Sequence, residues 1–144
     1  MARSLLAMNN SGYYYREIEK SRKSLAFDSI DQLCGTWWDV NSKRCHMSIY
    51  RSNGKYFAVI GWASSAWMNS EWTMSGIWDM ERQEMSCTDE KSVVVENVDQ
   101  DKVKITTEYE NGNSRLYIKD EYLLWEDATK SVGMHCKFVK ANSQ

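Results

Sequence analysis

Lys102-Val103-Lys104-Ile105-Thr106-Thr107-Glu108-Tyr109-Glu110 is the stretch on which the fold turns. Val103, Ile105, Thr107 and Tyr109 alternate with residues that are mostly charged, so the segment reads as a β-strand with one apolar and one charged face. Residues 44–50 alternate in the same way, with Cys45, Met47 and Ile49 on the apolar face. Segments 56–62, 71–78, 84–89, 93–96, 115–119, 122–126 and 134–139 complete the predicted strands. Between them, Ser52-Asn53-Gly54 and Asn111-Gly112-Asn113 read as hairpin turns, because Asn and Gly accept positive φ. Glu81-Arg82-Gln83, Asp99-Gln100-Asp101 and Asp120-Glu121 are weaker breaks. Short strands joined by short hairpins predict an antiparallel meander of eight or nine strands. Closing it removes the edges that a chain with no proline leaves unguarded; an open sandwich is the alternative.

Upstream of Gly35 the period changes. Residues 1–12 are small, polar and aperiodic and read as a disordered tail. Residues 13–34 read as a helical segment carrying Tyr14, Ile18, Leu25 and Ile30, with Asp28 as a cap and Gly35 as the stop. The β domain is expected over 35–140, with 141–144 as a C-terminal tail.

The bulk properties narrow the function. A chain of 144 residues, 42% hydrophobic, is one domain by length and buries roughly 68% of its unfolded surface. A net charge of −2 gives no phosphate-binding excess, and the basic run 16–23 is interrupted by Glu17 and Glu19, so no nucleic-acid partner is expected. No apolar run approaches the ~18 residues of a membrane span. The first eight residues carry one positive charge and too short an apolar run for a secretory signal, which predicts a cytoplasmic location unless a leader has been removed. Cys34, Cys45, Cys87 and Cys136 allow two disulfides by three connectivities, but a core of this size needs no staple, and buried free thiols are expected.

Gly35-Thr36-Trp37 after a helical segment, followed by a meander ending in Phe138-Val139-Lys140, resembles the calycin group of lipocalins, fatty-acid-binding proteins and avidins. The resemblance implies a closed barrel of eight or nine strands. Trp37 would plug one end, with a basic residue of the last strand, Lys140 or Lys137, packed across it. Trp38 then lies on the opposite face of that strand, under the N-terminal helix or against a partner. The body of the chain, residues 34–140, also resembles uncharacterised β-rich domains of Gram-positive gut bacteria. The pieces that carry this are Gly35-Thr36-Trp37, Trp62-Ala63-Ser64-Ser65-Ala66, Trp72-Thr73-Met74-Ser75-Gly76, Leu124-Trp125-Glu126-Asp127 and Cys136-Lys137-Phe138-Val139-Lys140. No activity comes with it.

Seven tryptophans supply the candidate site. Trp62, Trp72, Trp78 and Trp125 fall in phase with Ala58, Ile60, Met74 and Leu123. They either fill the interior or line a pocket for a flat or apolar ligand. In Trp62-Ala63-Ser64-Ser65-Ala66-Trp67, Ser64 and Ser65 are candidate donors to a ligand head group, and an exposed Trp67 would instead anchor a protein interface. Cys45-His46 and His135-Cys136 place unlike ligands on opposite strand faces. With the strand that Gly35 opens expected between their strands, Cys45 and Cys136 should lie roughly 10 Å apart, so no metal is expected. Asp39, Asp79, Glu126 and Asp127 at strand ends read as solvated turn residues. No nucleophile elbow, zinc-protease motif, phosphate loop or dinucleotide fingerprint occurs.

These readings converge on a non-enzymatic binding protein without cofactor. It is expected to dock a protein partner, for instance as a small inhibitor encoded by a phage or mobile element against a host defence enzyme. The alternative is a lipocalin- or avidin-like carrier of a small apolar or flat ligand in a Trp-lined barrel mouth. Exposed Tyr and Trp also make a homo-oligomer possible.

Overall fold

The computed structural model describes residues 32–129, 132 and 135–141. Nine antiparallel strands form one sheet: β1 (Gly35–Asp39), β2 (Cys45–Ser52), β3 (Lys55–Ala63), β4 (Met68–Gly76), β5 (Trp78–Asp79), β6 (Glu84–Asp99), β7 (Lys102–Lys119), β8 (Tyr122–Asp127) and β9 (Phe138–Lys140). Their order is β4-β3-β2-β1-β9-β8-β7-β6-β5, and a further β4–β6 pairing closes the sheet into a ring. The expected tail 1–12 and residues 13–31 of the expected helical segment lie outside the described residues, as do 142–144. Among the described residues there is no α-helix, and Gln32-Leu33 form a short 3₁₀ turn.

Local chemistry accounts for the joints. Gly35 opens β1 at φ 130°, a region that L side chains rarely enter. Asn53-Gly54 (φ 53° and 79°) and Asp120-Glu121 (φ 54° and 70°) each supply the paired positive φ of a two-residue hairpin, matching the twist of their strands.

Asn111-Gly112-Asn113 behaves differently from its reading as a hairpin turn. The chain runs straight through it, and β7 is one strand of 18 residues. The positive φ of Asn111 (57°) is spent on an irregularity within the β6–β7 ladder, where the register slips between Cys87 and Glu90 and again between Glu90 and Ser92. The partner strand is likewise continuous over 16 residues, where two separate strands were expected at 84–89 and 93–96.

A further slip, between Ser92 and Val93, overturns the single apolar face expected for Val103, Ile105, Thr107 and Tyr109. Ser92 pairs with Tyr109 but Val93 pairs with Thr107, so Glu108 is one residue too many and the faces exchange. Tyr109 turns inward. Val103 and Ile105 turn outward and are 58% and 51% exposed.

The ring is tall on one side only. β1 has five residues and β9 three, whereas β6 and β7 have 16 and 18. β8 pairs with β7 only over Ser114–Lys119, so the upper half of the β6–β7 hairpin stands beyond the ring as a sheet shared with β3 and β4.

Inside the ring, alternate positions fill the space. Trp37, Met47, Ile60 and Trp72 form one row by direct pairing across β1 to β4, and all are buried. Trp72 meets Trp125 of the facing wall edge-to-face at 5.1 Å, a contact worth roughly 0.5–1.5 kcal/mol beyond the area it buries. Leu116, Leu123, Met85 and Phe138 belong to the same buried cluster.

Gly112 sits where a side chain has no room. A Cβ there would lie 2.8 Å from Tyr109 Cε1, 2.9 Å from Glu90 Oε1 and 2.9 Å from Thr129 Oγ1. Gly112→Ala should therefore cost about 1–3 kcal/mol through overpacking, read as a lower urea midpoint with an unchanged m-value.

Candidate functional site

The irregular part of the β6–β7 hairpin builds a buried polar network that the sequence conceals. Glu90 is fully buried and Asp127 is 3% exposed, and the two carboxyl groups share one phenol. Tyr109 Oη lies 2.9 Å from Asp127 Oδ2 and 3.1 Å from Glu90 Oε1. Ser114 Oγ donates to Glu90 Oε2 at 2.5 Å and accepts from Trp125 Nε1 at 3.4 Å. The Thr129 amide donates to Asp127 Oδ1 at 2.9 Å.

Proton counting decides how this network is wired. Tyr109 has one hydroxyl proton and two carboxyl neighbours, so both contacts are hydrogen bonds only when one carboxyl is protonated. Glu90 is that group. Burial, opposed by the Ser114 hydrogen bond and reinforced by Asp127, pushes its pKa up to about 7. When Glu90 is protonated it donates to Tyr109 Oη and Tyr109 donates on to Asp127; when Glu90 is ionised the single Tyr109 proton serves one carboxylate at a time. Burial and the Asp127 hydrogen bond also push the Tyr109 phenol above its usual range, so it stays a donor.

The network ties the hairpin to the start of the segment after β8. Beside it lies a groove of ≈ 550 Å³ between residues 86–88, 113–115 and 126–128. Arg115 spans the outer side, with Glu84 at 2.6 Å and Glu126 at 3.1 Å. Its hydrogen bond holds the Glu126 carboxyl below the usual range.

The second feature is the outer face. One row of direct neighbours runs Val139, Trp38, His46, Gly61, Glu71, Val93, Thr107 across seven strands. The next row is Ala63, Asn69, Val95 and Ile105, and Asn97 and Val103 follow. Trp67, 69% exposed, borders these rows, and its carbonyl accepts from the Asn97 amide at 2.7 Å. Glu71 is the one carboxylate in these rows, in a chain that is 26% charged. His46 packs over Gly61 and lies 5.2 Å from the Trp38 ring, and burial lowers its pKa, which favours the neutral imidazole.

Of the residues singled out in the sequence, Trp72, Trp78 and Trp125 are buried and Trp62 is half-buried. Trp72 Nε1 is buried without a hydrogen-bond acceptor among the described residues. Ser64, Ser65 and Trp67 are exposed together in the β3–β4 loop. The serine hydroxyls are engaged within that loop: Ser64 Oγ donates to Met68 O at 3.1 Å, and Ser65 Oγ accepts from the Trp67 amide at 3.2 Å. Trp37 and Lys140 are brought together as direct cross-strand partners, with Lys140 Nζ 5.5 Å from the indole centre. Trp37 Nε1 donates to Leu33 O at 2.8 Å.

Two expectations are corrected. Cys45 and Cys136 are hydrogen-bonded neighbours, not two strand spacings apart. β1 does separate their strands, but β1 ends at Asp39 and Cys136 precedes β9, so the two thiols meet below the end of β1. That contact, burial and nearby Asp39 push the Cys45 thiol up. All four cysteines are buried, and Cys45, Cys87 and Cys136 are in no disulfide. Asp39 and Asp127 are likewise not solvated. Asp39 is 5% exposed and accepts from the Lys137 amide at 3.0 Å. Asp79 and Glu126 are exposed, and Asp79 accepts from the amides of Glu81 and Arg82.

Among the described residues, no group of three His, Cys, Asp or Glu side chains is arranged to hold a metal, and no helix is long and apolar enough to cross a membrane. No protein-family model, curated protein or solved structure matches this chain.

The network makes a signed pH prediction. Glu90 is raised from the usual 4.5 to about 7, so its contribution to stability is fully present below pH 4.5 and is lost as pH rises to about 7. Glu90→Gln keeps a donor for Tyr109 and an acceptor for Ser114 but cannot titrate. The variant should gain on the wild type across that window by no more than about 3 kcal/mol, read from urea unfolding at each pH.

Proposed function

We propose that this chain is a calycin-like β-barrel that acts as a non-enzymatic binding protein and docks a protein partner on its outer face. The observation that carries this reading is the nearly uncharged face bordered by Trp67 and containing Trp38, Val103 and Ile105. Contiguous exposed apolar surface marks interaction sites, and interface centres are depleted in charge and enriched in aromatic residues. The ring-closing sheet supports the barrel reading, and the contact of Lys140 with Trp37 supports the likeness to calycins. A small inhibitor is one form that such docking takes.

The carrier reading keeps one supporting observation. The groove beside Ser114 adjoins Trp125, and the Trp72 indole N–H is buried without an acceptor among the described residues. A ligand bound there would change the emission of Trp125.

The two readings separate experimentally. Trp67→Ala should leave the urea midpoint within about 0.5 kcal/mol of wild type and abolish stoichiometric capture of a protein partner. If no partner is captured, but a small molecule saturably changes tryptophan emission and is retained in native mass spectrometry, the carrier reading replaces the first.

A further inference from the structure

Pairing closes the ring, but among the described residues one stretch of strand edge has no neighbouring strand. β7 pairs with β6 from Lys102 onward, whereas β8 covers only Ser114–Lys119. Over residues 102–112 the other flank of β7 meets no strand among the described residues. Alternate residues there turn N–H and C=O away from β6, in a row that another strand can complete. The edge belongs to a sheet already built from β3, β4 and β6.

The charges along this edge are polarised. Lys102 and Lys104 stand at its start and Glu108 and Glu110 at its end, with Ile105, Thr106 and Thr107 uncharged between them. A parallel neighbour of the same sequence would set lysine against lysine. An antiparallel copy, related by a two-fold axis beside Thr106, sets Lys104 opposite Glu108 and Lys102 opposite Glu110, each pair occurring twice. Ile105 then faces Thr107, while Tyr109 keeps its side chain inside the ring beyond the extra residue at Glu108. The extra residue at Glu108 shifts Glu110 out of strict alternation, so the Lys104–Glu108 pair nearest the axis carries the selectivity. Registers shifted by one residue to either side still bring the lysine end against the glutamate end. Residues 102–108 are exposed, so this pairing displaces no packed side chain of the described structure. An edge defended by lysines alone repels a second copy. Here the glutamates convert repulsion into attraction for one orientation.

We propose that the chain forms a two-fold dimer through antiparallel pairing of residues 102–110, extending the sheet as β4-β6-β7-β7-β6-β4 across both copies. The outward Val93, Val95, Val103 and Ile105 of the two copies then lie on one continuous face. The dimer does not depend on the partner reading, since it uses the edge of β7 and needs only the purified chain.

Sedimentation equilibrium over a concentration series tests it. The wild type should rise from 16.8 kDa toward twice that mass. Lys104→Glu or Glu108→Lys alone should raise the dimer Kd by about tenfold or more, since each sets two like-charge pairs at the centre. Combining the two reversals should restore the wild-type Kd, and circular dichroism should be the same for all four proteins. A wild type that stays at 16.8 kDa at sub-millimolar concentration would overturn the proposal. So would single variants that dimerise like the wild type, or a double reversal that fails to recover, and the partner reading would stand in each case.

Discussion

The β6–β7 hairpin has to serve two surroundings along one length. Near Met85 and Leu116 it is a wall of the ring with one buried face, and near Val95 and Ile105 it is a sheet wetted on both sides. A regular ladder keeps the same side chains on one face from end to end. This ladder slips four times instead: between Cys87 and Glu90, Glu90 and Ser92, Ser92 and Val93, and Asn97 and Asp99. The slips turn Glu90, Tyr109 and Ser114 into the interior and Val93, Val103 and Ile105 out of it. The polar network and the neutral outer face both descend from that exchange.

The network in turn holds the slips in place. Moving the ladder by one residue would bury a carboxyl group without its Ser114 and Tyr109 partners, an error that costs far more than one hydrogen bond is worth. Gly112 adds a steric condition, since its missing Cβ is the space that Glu90, Tyr109 and Thr129 occupy. Holding a proton on Glu90 is what lets one phenol serve two carboxyl groups in a buried place.

Charge is distributed with the same economy of space. On the upper sheet Lys104 and Glu96 are direct neighbours on one face, while Val95 and Ile105 are neighbours on the other. The charged residues therefore surround the neutral surface without entering it, apart from Glu71. That separation leaves the outer face nearly free of charge, which is the feature the proposed docking reading rests on.

Much of the architecture was legible in the chain before any coordinates. Alternation of period two marks β2, β3 and β8, and Asn53-Gly54 and Asp120-Glu121 mark real turns, because strand pleating and positive φ are properties of neighbouring residues. Lys140 beside Trp37 was suggested by likeness to calycin ends. Glu90 was not legible, since Glu90-Lys91-Ser92 reads as a polar break between strands. Asn111-Gly112-Asn113 looked like a hairpin turn, and the same positive φ serves a bulge equally well. Which of the two forms depends on the partner strand, as does the side of β7 on which Val103 and Ile105 emerge. Sequence by itself determined that the chain is an antiparallel β meander, and it set the polarised charges of 102–110, but not where the long strands β6 and β7 run on unbroken. Register is a relation between strands distant in the chain, so only the tertiary structure decided which carboxyl groups are buried together and which apolar face meets water.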